Sequence, residues 1–127
     1  MAIARQADAT KVKPGRAAII QQGVVGATIA VGEAVAVQSD GYWDPAIATG
    51  VVTNAGIAVQ AGAVGDTIDI VILGPVECVT GATPGAIVYV SDTAGEPAET
   101  AGTKSFVIGY AVTATKLIVM PQTVAFA

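Results

Sequence analysis

Histidine is missing from this 127-residue chain, and cysteine occurs once. Without histidine there can be no Ser–His or Cys–His pair and no imidazole ligand for a metal ion. One cysteine makes neither an internal disulfide nor a thiolate cluster. Cys78 lies in the apolar stretch Pro75-Val76-Glu77-Cys78-Val79 and is expected to be a small core hydrophobe rather than a reactive thiol. A lone cysteine also fits a reducing cytoplasm. Phosphate loops and nucleophile elbows are absent too, since Gly102-Thr103-Lys104-Ser105 lacks the upstream glycine of a phosphate loop. No enzyme activity, cofactor or metal is therefore expected. The longest apolar run, from Ala17 to Val37, is broken by Gln21, Gln22, Glu33 and three glycines. A spanning helix wants about 18 nearly charge-free apolar residues, so no membrane partner is expected. Met1 to Asp8 lacks the continuous apolar core of a secretion signal.

Charge is scarce, at 13% of residues, against 53% hydrophobic residues, which is far from the composition of a disordered chain. The little charge present is unevenly placed. Residues 1–16 carry Arg5, Lys11, Lys13 and Arg16 against Asp8, a net of +3, whereas residues 17–127 carry a net of −7, giving −4 overall. An acidic body repels phosphate backbones, so nucleic acid is not an expected partner. The division expected is a basic N-terminal arm over residues 1–16 and a single β-rich domain over residues 17–127.

Most of the apolar content is Ala, Val and Ile, punctuated by 15 glycines and six prolines. No uninterrupted window of a dozen residues shows helical periodicity, whereas period-2 segments recur. Strands are predicted near Ala17–Gln21, Ala34–Gln38, Gly56–Gln60, Thr67–Leu73, Val76–Thr80, Ile87–Ser91, Phe106–Val112 and Leu117–Met120. Turns are predicted at Ser39-Asp40-Gly41, Val64-Gly65-Asp66, Gly74-Pro75, Thr83-Pro84-Gly85 and Asp92-Thr93-Ala94-Gly95. The apolar stretch Ala46–Ala55 reads as a loop or one turn of helix. Short strands at this spacing predict an all-β fold, a small β-barrel or β-sandwich with an extended N-terminal arm.

A weak internal duplication runs through the pattern. Gly26-Ala27-Thr28 precedes Gly32-Glu33-Ala34-Val35-Ala36-Val37, and Gly81-Ala82-Thr83 precedes Gly85-Ala86-Ile87-Val88-Tyr89-Val90. Gly56-Ile57-Ala58-Val59 likewise matches Gly109-Tyr110-Ala111-Val112. Gly32 to Gly85 and Gly56 to Gly109 share one offset of 53 residues. With Gly65-Asp66-Thr67-Ile68-Asp69-Ile70, this makes three Gly-led units in which glycine supplies a positive φ before an alternating strand.

Two clusters remain. Asp40-Gly41-Tyr42-Trp43-Asp44 fits an Asp-Gly hairpin with an aromatic pair behind it. It alternatively offers a Ca²⁺ or carbohydrate contact, although two carboxylates are few for calcium, or an interface anchored by Tyr42 and Trp43. Lys116 sits in a turn-like Thr113-Ala114-Thr115-Lys116 without the flanking methionines of a biotinyl carrier, and is expected to be a solvated turn lysine.

The run Gly56-Ile57-Ala58-Val59-Gln60-Ala61-Gly62-Ala63-Val64-Gly65-Asp66-Thr67-Ile68-Asp69-Ile70 resembles a corresponding run of the bacteriophage capsid decoration proteins, also called head-stabilising or cement proteins. Gly81 to Ser91 is similar to the same family's Val-Tyr strand, and Val107 to Pro121 to its closing strands. The resemblance covers about residues 30–121. It implies a β-barrel or β-sandwich body, a homotrimer, and the major capsid protein as partner. The location implied is the outer capsid surface of a virion assembled in the host cytoplasm. The basic arm then becomes the expected capsid contact, through Ile3, Arg5, Lys11, Val12, Lys13 and Arg16. Ordering a free arm costs about 1–2 kcal/mol per residue, so docking would have to bury Ile3 and Val12. The other function these residues allow is a carbohydrate- or receptor-contacting β-module at Tyr42 and Trp43.

Overall fold

The computed structural model describes residues 3–50 and 55–120. They form twelve strands and a single 3₁₀ turn at Ala9–Lys11, where the Asp8 carboxylate caps the turn by accepting from the Thr10 amide. The strands are β1 (Ala4–Arg5), β2 (Lys13–Pro14), β3 (Ile19–Val24), β4 (Ala34–Val37), β5 (Trp43–Pro45), β6 (Ala55–Ala58), β7 (Thr67–Glu77), β8 (Val79–Thr80), β9 (Ile87–Val90), β10 (Pro97–Ala98), β11 (Val107–Ala111) and β12 (Lys116–Val119). The fold is all-β, a curled antiparallel sheet that makes a half-barrel.

β7 organises the sheet. Its first part, Thr67 to Leu73, lies between β3 and β6; its last part, Gly74 to Glu77, pairs with β12 and β2. Strand order on the main path is β10-β9-β11-β12-β7-β6-β4-β5. Gly74-Pro75 is therefore not the turn that its composition suggests; both residues lie inside β7. Gly74 takes φ +101°, a conformation open to glycine. A side chain there would press on the backbone of Ala17 and Ala18. The strand coils at this point and changes partners without breaking. The expected strand at Ala17–Gln21 is found slightly later, at Ile19–Val24; of the stretch Ala46–Ala55, Ala46 to Gly50 is loop, Ala55 already belongs to β6, and residues 51–54 lie outside the described residues. The short strands β5 and β10 escape periodicity because two or three residues are too few to show it.

The internal duplication is structural. The first unit is β3, the first part of β7, β6, β4 and β5. The second is the last part of β7, β12, β11, β9 and β10, and each runs in that hydrogen-bonded order. Register is preserved: Ala34 faces Ile57 in the first unit, and Ile87 faces Tyr110 in the second, each displaced by 53 residues. The next pairs outward, Ile57 with Val71 and Tyr110 with Ile118, also correspond. Gly32 and Gly85, which open the equivalent strands β4 and β9, have φ +83° and +86°; Gly65, ahead of β7, has +93°. These are the positive values expected of the three Gly-led units.

Gly56 and Gly109 do a different job. A Cβ on Gly56 would come 2.9 Å from the Val71 carbonyl oxygen, and one on Gly109 would overlap the Ile118 carbonyl oxygen. Val71 and Ile118 are themselves equivalent, so both units use glycine to let the same two strands approach.

Two cores result. The smaller holds Val25, Ile29, Val35, Trp43, Ala58, Ile68 and Ile70, inside the first unit. The larger gathers Val88, Val90, Ala111 and Leu117 of the second unit with Ala34, Ala36, Ile57 and Val71 of the first. The first unit thus buries both sheet faces, one into each core.

Candidate interaction surfaces

The basic N-terminal segment is laid along the body. β1 pairs with β8, the Gln6 amide donates to the Cys78 carbonyl (2.9 Å), and β2 pairs with the end of β7. Arg5 Nε donates to Glu96 Oε2 at 2.9 Å while its Nη1 reaches the Val31 carbonyl, also at 2.9 Å. The ion pair is partly solvated, so its worth is modest. Val12 is inside the larger core and Ile3 packs against that core. Of the residues expected to meet a capsid, Ile3, Arg5 and Val12 therefore spend their contacts on the chain itself, whereas Lys11, Lys13 and Arg16 face solvent. The aliphatic pair is recruited because a half-barrel leaves its open side to be closed, and a strand that pairs with β7 and β8 can close it.

The Asp40–Asp44 cluster is a hairpin tip. Gln38 and Tyr42 close it by the Gln38 amide donating to the Tyr42 carbonyl (2.8 Å), Gly41 has φ +85°, and Asp40 Oδ1 accepts from the Tyr42 amide (2.9 Å). This is the Asx-type local bonding that favours aspartate in turns. Alternation along β5 then separates the two aromatic residues. Trp43 turns inward, only 5% exposed, into the smaller core, and Tyr42 turns outward, 47% exposed. Trp43 is accordingly a core residue here, and the paired aromatic platform that an interface or a sugar would use is not formed; Tyr42 stands alone. It borders a cleft of about 360 Å³ with Val24, Val25, Gly26, Asp40, Val64 and Gly65. Asp44 Oδ1, on the same side of β5, is buried without a hydrogen-bond partner beside Gly26.

A second surface was not singled out by the sequence. The outer face of β9, β11 and β12 carries Ile87, Tyr110 and Ile118 in one cross-strand row, with Tyr89 opposite Val107 alongside. A bulge between Val107 and Gly109 keeps Val107 and Tyr110 on this face while Ile108 and Ala111 point inward. Ile87 is 50% and Tyr110 42% exposed. The signal was present in Ala86-Ile87-Val88-Tyr89-Val90, which is apolar at every position. Such a run belongs to a strand meant to be covered on both sides.

Among the described residues, no group of three or more His, Cys, Asp or Glu side chains is placed to hold a metal ion. Burial pushes the Cys78 thiol up to about 12. Its thiolate fraction near neutral pH is then about a thousand-fold below that of a free thiol. The folded protein should therefore resist a disulfide reagent at pH 8 and react at once in denaturant. Fast labelling of the native chain would place Cys78 outside the core. The stability consequence has a definite sign. The unfolded chain loses this proton above pH 9 and the folded chain keeps it, so stability should fall as pH rises from 9 towards 12.

Compared with family models and with curated proteins, the chain matches none.

Proposed function

We propose that this chain is a structural virion protein that binds the outer surface of a bacteriophage capsid as a homotrimer and stabilises the lattice of the major capsid protein. The resemblance over residues 30–121 falls on the elements that make the scaffold: β6, the Gly65-Asp66 turn, β7, β9, β11 and β12. The observation that carries the proposal is the apolar sheet face of Ile87 and Tyr110. An ordered sheet face that turns an isoleucine and a tyrosine half out into solvent is suited to being covered by other protein. Exposed Lys11, Lys13 and Arg16 add a basic edge, which would steer the acidic-bodied protein onto an acidic patch of the shell.

The test is direct. Virus particles purified from the source of the chain should carry it in many copies per shell, removable by mild denaturant. Added back to stripped shells, it should raise their resistance to heat. The triple charge reversal K11E/K13E/R16E should weaken rebinding by about ten-fold or more at low salt and leave the melting temperature of the free protein within a few degrees. Particles without the chain, or a chain confined to the tail, would end this proposal.

A further inference from the structure

The cleft beside Tyr42 carries negative charge that the chain does not neutralise. Val24, Val64, Tyr42, Gly26 and Asp40 line its volume of about 360 Å³, which is room for a small organic group. Asp44 adjoins it at Gly26, and the exposed Asp66 follows Gly65 on its border. None of the six lysines and arginines pairs with an acid there; the one ion pair among the described residues is Arg5 with Glu96. The charges separate along β7. Lys13 and Lys116 both stand opposite Glu77, its last residue, and Lys11 and Arg16 flank Lys13 in the chain. Val24 of the cleft stands opposite Thr67, its first. The 11 residues of β7 span about 35 Å of strand, several Debye lengths at physiological salt. Lys104 is engaged elsewhere, on the Gly50 carbonyl (3.2 Å).

One acceptor at this cleft is unsatisfied. Asp44 Oδ1 is buried and has no hydrogen-bond partner among the described residues. Gly26 is what keeps the space beside it open. A Cβ on Gly26 would lie 2.8 Å from this oxygen and 3.0 Å from the Tyr42 Cβ. Any other residue would therefore fill the gap between the carboxylate and the tyrosine. Asp40 spends Oδ1 on the Tyr42 amide (2.9 Å), and its Oδ2 accepts no hydrogen bond from a described residue. Two carboxylates thus hold acceptor capacity next to one outward-facing tyrosine and two valines. A buried acceptor left unpaired is costly, so a donor that reaches it is favoured.

We propose that this cleft receives the side chain of an arginine presented by a partner protein. Its methylenes would lie against Val24 and Val64, and its guanidinium plane against Tyr42. A guanidinium carries five N–H donors in one plane, enough to serve Asp40 and Asp44 together. Lysine offers a point charge that neither stacks nor spans two carboxylates in this way. A metal ion fits less well, because no group of three or more His, Cys, Asp or Glu among the described residues is placed to hold one. The partner is defined by this chemistry alone, so the result is independent of whether the chain sits on a capsid.

Nuclear magnetic resonance of the methyl-labelled full chain tests it, by titration with N-acetyl-arginine methylamide at constant ionic strength. The Val24 and Val64 methyl signals should shift saturably, with a Kd of about a few millimolar. The citrulline analogue keeps the shape without the charge and should bind at least about ten-fold more weakly. The lysine analogue should bind about three-fold more weakly. Asp44→Asn should weaken arginine binding by about ten-fold. Asp40→Asn retains an oxygen that accepts from the Tyr42 amide, so the turn survives and the loss should be about three-fold. Val64 is 68% exposed. Val64→Lys sets a cation of the chain's own beside the cleft and should abolish binding while leaving the melting temperature unchanged. Absence of a saturable shift up to about 50 mM would overturn the proposal. So would a citrulline analogue that binds as well as arginine, or aspartate variants that bind like wild type. A methyl glycoside that moves the same signals more strongly than arginine would make the cleft a sugar site and overturn it too.

Discussion

Gly109→Ala is expected to be the most damaging single-methyl addition in the chain, costing at least about 4 kcal/mol. Gly109 lies on β11 between Val88 of β9 and Val119 of β12. An added Cβ would overlap the Ile118 carbonyl oxygen and stand 2.9 Å from its carbon and 3.0 Å from the Met120 nitrogen. All three atoms are backbone, so no side chain can rotate away. β12 would have to move, and β12 carries Leu117 and Val119, both fully buried in the larger core. It also bonds β7, the strand that both units share, so the displacement cannot stay local. Against a typical total of about 5–15 kcal/mol, such a loss leaves little folded protein at growth temperature. In thermal unfolding the midpoint should drop by about 15 °C, if the protein is soluble at all. Gly85→Ala is the control. Gly85 has φ +86° with nothing within 4 Å of an added Cβ, so only the left-handed backbone penalty of about 1–2 kcal/mol applies. A Gly109→Ala protein that melts within about 3 °C of wild type would show that the strands are not this close.

The same glycine shows how far the sequence could be read. The 53-residue spacing of Gly56 and Gly109 was legible as a repeat, and the strands it predicts are present in matching register. The role of these glycines was not legible, because a glycine that admits a neighbouring backbone and a glycine that turns the chain look alike in one dimension. Gly74-Pro75 misleads for the same reason: beside a long aliphatic run it reads as a turn, and only its neighbours on both sides show a strand changing partners. Strands of four or more residues declared themselves through alternation, whereas β2, β5 and β10 are short pieces laid along the longer β7, β4 and β9, and β1 and β8 are two-residue strands that pair only with each other. The sequence's polarity also overstated the independence of the N-terminal segment. Four basic residues among the first 16 mark it as solvated, but burial is decided residue by residue. Val12, between two lysines, points into the core while Lys11 and Lys13 do not. For the interaction surfaces the limit is sharper. Whether an apolar position faces the core or the solvent depends on what lies above it, and that is why Trp43, offered as an interface anchor, lies in the core while Tyr110, which nothing in the sequence singled out, faces solvent.

Trp43→Ala is expected to cost about 4 kcal/mol and to shift a single unfolding transition rather than release part of the fold. Trp43 is the only tryptophan and the largest member of the smaller core, packed with Val25, Ile29, Val35, Ala58, Ile68 and Ile70. The first unit is built around its ring. A side chain on Gly23 would collide with the indole, and the Trp43 carbonyl accepts from the Gly26 amide at 2.9 Å. Truncation would leave a cavity that the neighbouring backbone, held by β4 and by Gly26, can only partly collapse. Because β7 belongs to both units, Ile68 and Ile70 in the smaller core and Val71 and Val76 in the larger lie on one continuous strand. Loosening the first unit therefore loosens the second. Probes of the two halves should then report coincident midpoints, lowered together by about 15 °C. In the wild-type protein the tryptophan emission should be blue-shifted and poorly quenched by iodide, moving to the red only on unfolding. Trp43→Phe, which keeps most of the volume, should restore more than half of the lost stability. If Trp43→Ala instead melts like wild type while self-association or capsid binding is lost, the indole is an external anchor and the smaller core does not exist as described.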